Sequence, residues 1–136
     1  MDDAKLEQKL VEFLTPTEVN VPPQIELDNN QLDCKIAILK EQQDQIMHIL
    51  KINYWNQLEI LIAEHNNGSD AEMDDAAANT TNDATIERVY GLQFLITIKN
   101  QTNSNLYYHL SKIYSLRKMT KEYEYIRRNN LEYATV

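Results

Sequence analysis

The chain has 136 residues, 43% of them apolar, with 21 acidic against 13 basic side chains and a net charge of −8. That length suits one domain; two glycines and three prolines leave few tight turns and hence few, long elements. A single cysteine excludes a stapled secreted fold and a thiolate zinc site, while the acidic start and the lack of roughly 18 consecutive apolar residues predict a soluble, intracellular chain.

Residues 1–28 read as a short N-terminal helix followed by an extended strap. Leu6, Leu10 and Leu14 recur at i+4 beside Val11 and Phe13, with Asp2 or Asp3 available as N-cap. Thr15-Pro16 ends the helix, because proline cannot donate to the ladder and pushes its predecessor out of the helical region. Pro22-Pro23 and the alternation Ile25, Leu27 then suit a strap running over a neighbouring surface.

Residues 29–65 contain neither proline nor glycine and predict one long coiled-coil helix, capped by Asp28, Asn29 or Asn30. Such a helix would be roughly 50 Å long, too long to hide inside a compact domain, so it must project or pack lengthwise. Leu32, Ile36, Leu39, Gln43, Ile46 and Leu50 keep heptad spacing. Past Leu50 the stripe continues as Tyr54, Leu58 and Leu61, whose spacing breaks the heptad. Ile49, Ile52, Trp55, Ile60 and Ile62 lie largely off that stripe, the pattern of a helix with several neighbours.

Residues 66–84 form an acidic stretch with one large apolar residue, Met73, and predict a disordered linker that cannot bury enough surface to repay its ordering. Within it Ser69-Asp70-Ala71-Glu72 suits an acid-directed kinase, making Ser69 a candidate phosphosite. Residues 85–136 predict a C-terminal helical segment interrupted at 100–105, where Asn103 or Ser104 can cap a renewed helix. Over 92–99 helix is the first reading and strand the alternative, since Phe94-Leu95-Ile96-Thr97-Ile98 is rich in β-branched residues. The fold class expected is therefore all-α: an elongated helical or coiled-coil hairpin or bundle subunit with a disordered acidic linker.

Charge divides along the chain. Residues 1–84 carry 17 acids against 5 bases, or −12, and residues 85–136 carry 4 against 8, or +4. The two halves should attract, though each exposed pair contributes only about 0.2–1 kcal/mol.

No chemistry is nominated. Two isolated glycines supply no phosphate-cradling loop; His48, His65 and His109 lack ligand spacing; no sequence pattern nominates a base for Cys34; and the carboxylates fall mostly in the linker or on polar faces. No catalytic, metal or cofactor residue is expected, and no enzyme, membrane partner or small-molecule substrate. The expected site is a partner interface on other helical subunits of a hetero-oligomer. Its first half would be Leu32, Ile36, Leu39, Ile46, Leu50, Tyr54, Trp55, Leu58 and Leu61, and its second Leu106, Leu110, Ile113, Leu116, Met119, Tyr123 and Ile126. Polar Gln43, Asn53 and Gln57 on or near the seam would restrict register.

An alternative is a nucleic-acid-binding adaptor, because Arg117, Lys118, Lys121, Arg127 and Arg128 interleave with tyrosines and could bind anions. In its outline of two helical segments around an acidic linker, rich in Asn, Ile and Tyr, the chain resembles the small coiled-coil subunits of fungal multiprotein assemblies, kinetochore complexes among them. Mediator-type and vesicle-tethering subunits share that outline. The long apolar helices and the lack of nominated chemistry predict a non-catalytic scaffold stable only when packed against other chains, and the resemblance adds a nuclear location.

Overall fold

A computed structural model describes residues 2–16, 27–76 and 83–134, with side chains described outside 68–89 and 131–136. Five helices and no strand occur among them: α1 Asp3–Phe13, α2 Asn29–Asn53, α3 Trp55–Ala76, α4 Asp83–Asn100 and α5 Ser104–Ala134. The protein is all-α, and residues 92–99 are helical. The strap expected before residue 27 lies mostly outside the described residues. The chain passes from α3 to α4 within the acidic stretch, although the backbone of α3 continues as far as Ala76.

Local chemistry sets most of the boundaries. The Asp2 side chain accepts from the Ala4 amide to start α1, and Leu14 leaves helical geometry just before Thr15-Pro16. At α2 the Asp28 carboxylate accepts from the Gln31 amide at 2.8 Å, while the Gln31 side chain accepts from the Asp28 amide at 3.0 Å. This reciprocal capping box satisfies two otherwise orphaned donors. Between α4 and α5, Thr102 adopts φ 59° and donates its amide to the Lys99 carbonyl at 3.3 Å. The Asn103 side chain then accepts from the Leu106 amide at 3.4 Å to begin α5.

The expected single rod over 29–65 is corrected to two helices. Tyr54, with φ −134° and ψ 4°, ends α2 even though its amide still reaches the Leu50 carbonyl at 2.9 Å. The break falls where the heptad spacing lapses. It is also where α1 attaches: Lys51 pairs with Glu7 at 2.8 Å and the Trp55 indole N–H donates to Asp3 at 3.0 Å.

α2 and α5 form the main packed pair. They run antiparallel, as the succession Asp33 with Arg127, Lys40 with Glu124, Gln43 with Thr120 and Tyr54 with His109 requires. α4 folds back on α5, placing Gly91 beside Tyr114 and Lys99 over Tyr107. α1 packs on α3 and α4, with the Phe13 ring stacked on Phe94 at 4.9 Å and edge-on to His65 at 4.9 Å. One core results, joining Leu6, Leu10 and Leu14 of the first segment to Leu50, Leu58, Phe94, Ile98, Leu106 and Leu110.

Candidate partner interface

The stripe expected to meet other chains is occupied by the chain's own helices. Leu32, Leu39, Ile46, Leu50, Leu58 and Leu61 are buried, as are Leu106, Leu110, Ile113, Leu116 and Ile126. Ile36, Tyr54, Trp55 and Tyr123 are half-buried, and only Met119 of the expected set is exposed. The correction has a simple cause. The two stripes complement each other, and a tight turn at Thr102 together with the break at Tyr54 lets α2 and α5 meet within one chain.

Gln43 does sit on the inner seam, and its polarity is answered there. Its amide donates to Thr120 Oγ1 at 2.6 Å and its Oε1 accepts from Arg117 Nη1 at 3.4 Å. The Thr120 hydroxyl in turn donates to the Leu116 carbonyl at 2.7 Å. Asn53 and Gln57 are exposed instead.

The basic residues of α5 are also largely committed. Arg117 bonds Thr15 as well as Gln43, Lys121 Nζ donates to the Pro16 carbonyl at 2.7 Å, and Arg127 Nε pairs with Asp33 at 2.8 Å. Lys118 is half-buried and Arg128 exposed. The five therefore form no continuous free cationic face. Burial lowers the Arg117 pKa from its ordinary value, and the nearby Glu124 carboxylate acts in the opposite direction. Ser69 falls within α3, its side chain outside those described.

A second surface, to which the off-stripe Ile49 and Ile52 belong, lies on the outside of α2. Ile38, Gln42, Gln45, Ile49 and Ile52 repeat the 4-3-4-3 spacing of the inner seam, roughly a third of a turn around the helix. Ile38 is 54% exposed and Ile52 66% exposed, Gln42 and Gln45 are exposed, and Ile49 is half-buried. A shallow depression of about 400 Å³ lined by Asp28, Gln31, Cys34, Lys35 and Ile38 opens at its N-terminal end. The signal was present in the same heptad count, shifted to a second frame. Ile60 on α3, and Leu92 and Ile96 on α4, are further exposed aliphatic side chains.

Among the described residues no helix is long and apolar enough to cross a membrane, and no cluster of His, Cys, Asp and Glu is placed to hold a metal ion. Comparison with family models, with curated proteins and with solved structures finds no match. Among the described residues the fold is an all-helical bundle with exposed isoleucines on the outside of α2.

Proposed function

We propose that the chain is a non-catalytic helical scaffold subunit that helps assemble a hetero-oligomeric complex. The carrying observation is the outer seam of α2. Three isoleucines at heptad spacing stay outside a core that already satisfies the inner seam, and heptad spacing is what a further helix requires. Gln42 and Gln45 interrupt the seam and would restrict which helix fits, as buried polar heptad residues do. A kinetochore-type assembly in the nucleus, implied by the architectural resemblance, belongs to this proposal. No observation favours the nucleic-acid adaptor, since Arg117, Lys121 and Arg127 are engaged within the chain.

The test uses surface substitutions. Leu50 and Leu58, each 0% exposed, would unfold the chain if made Asp and so report nothing on partners. Ile38→Asp with Ile52→Asp should remove stoichiometric partners in a purification from the native cell. The unfolding free energy of the isolated chain should change by no more than about 0.5 kcal/mol. Crosslinks from the wild-type chain to partners should pass through Lys35 and Lys51. Partners retained by the double variant, or self-association as the sole assembly seen in sedimentation, would sink the proposal.

A further inference from the structure

The chain just past the end of α1 is held by two cations of α5. Leu6, Leu10 and Leu14 dock through apolar contact, but Thr15 Oγ1 accepts from Arg117 Nε at 3.2 Å and Nη2 at 2.9 Å. The next carbonyl, that of Pro16, accepts from Lys121 Nζ at 2.7 Å. A guanidinium fork matches two oxygens of a carboxylate or phosphate, whereas here both N–H groups converge on one neutral hydroxyl. The third contact of Arg117, to Gln43 Oε1, is neutral too. Glu124, the acid close enough to act on Arg117, is paired with Lys40 at 3.5 Å.

Arg117 and Lys121 also line a groove of about 160 Å³ with Lys40, Gln43, Thr120 and Glu124. The charged groups lining that groove are three cations, Lys40, Arg117 and Lys121, against one carboxylate, Glu124. Thr15-Pro16 is moreover the one Ser/Thr-Pro dipeptide in the whole sequence.

We propose that Thr15 is a phosphorylation site for a proline-directed kinase, and that Arg117 and Lys121 receive the phosphate and fasten the end of α1 onto α5. In the transfer, Thr15 Oγ bonds to the γ-phosphorus of a nucleoside triphosphate as the bond to its β-phosphate bridging oxygen breaks. The hydroxyl proton passes to the kinase's catalytic base and the nucleoside diphosphate leaves. Pro16 supplies the residue that lacks a backbone N–H and has a fixed φ, which such a kinase reads after its acceptor. Thr15 is half-buried between the buried Leu14 and Pro16. The kinase therefore acts when this end of α1 has lifted, and the phosphate then retains the docked form. The proposal does not depend on the scaffold reading.

The test takes the full chain, ATP and a proline-directed Ser/Thr kinase, with Thr15→Ala as the control and the phosphorylated peptide mapped by mass spectrometry. In the phosphorylated chain, amide exchange over α1 should slow by about tenfold, as new charge-assisted bonds imply. Phosphorus NMR titration should place the second phosphate ionisation below the value of about 6 for a free phosphothreonine. Arg117→Gln and Lys121→Gln should each move it back toward that value, and Lys112→Gln, an exposed cation on the same helix, should not. Lys121→Gln keeps the test decisive if Arg117→Gln fails to fold. Absence of phosphate on Thr15 both here and in protein from the native cell would overturn the proposal. So would faster exchange over α1 after phosphorylation, or an ionisation indifferent to both cations.

Discussion

Gly91 shows how one residue decides whether α1 can dock. It lies inside α4, where glycine is a poor helix former, yet a Cβ built there runs into the Phe13 carbonyl oxygen and comes within 3.6 Å of the Tyr114 ring. Alanine at this position would gain about 1 kcal/mol in helix propensity. The clash is with backbone, which cannot rotate away, and overpacking of this kind costs roughly 1–3 kcal/mol. Gly91→Ala should therefore lower stability in urea unfolding, with faster amide exchange over α1. An increase in stability would mean that Phe13 does not approach α4 this closely. Arg117 belongs to the same scale. Sequence reading placed it in a basic cluster, and its neighbours Thr15 and Gln43 come from positions 102 and 74 residues away, a separation no local pattern reveals.

Among the elements, the hairpin of α4 and α5 turns on a residue unsuited to its place. Thr102 holds φ 59° where a helix usually ends in glycine, and a β-branched side chain there is strained. Thr102→Gly should stabilise the protein by roughly 0.5–1 kcal/mol, the relieved strain outweighing the added freedom of the unfolded chain. A lower melting temperature for the variant would contradict that account. Helices α1, α2 and α5 were legible from their periodicity and caps, because those signals are local. The break at Tyr54 was marked only as a lapse in heptad spacing. Nothing in the adjacent residues forbids helix there, and the contacts that accompany the break, Glu7 with Lys51 and Asp3 with Trp55, join distant segments.

For the molecule as a whole, the charge division between halves has a limited structural use. Arg127 with Asp33 joins a base of the second half to an acid of the first, but Lys40 with Glu124 has the opposite sense, and both pairs are partly exposed. Raising salt should therefore change stability by less than about 1 kcal/mol. The joined core of α1 to α5 further predicts that the chain expressed alone unfolds in one cooperative transition, with fluorescence of Trp55 and far-ultraviolet circular dichroism coinciding. Two separated transitions would mean that the core is not one cooperative unit, and the absence of any cooperative transition would support the expectation that other chains are needed for stability.

Composition and periodicity by themselves determined that the protein is helical, where its first helix stops and which side chains are apolar enough to be covered, since these depend on residues within a turn or two of one another. Which apolar stripe is covered from within the chain was decided only by the tertiary structure. The inner seam of α2 kept heptad spacing and the stripe of α5 drifted, yet both read as surfaces awaiting a partner. That the outer seam of Ile38, Ile49 and Ile52 stays outside the core was decided only when α5 had covered the inner one, because burial is a property of the packed pair and spacing along one helix is the same on either face.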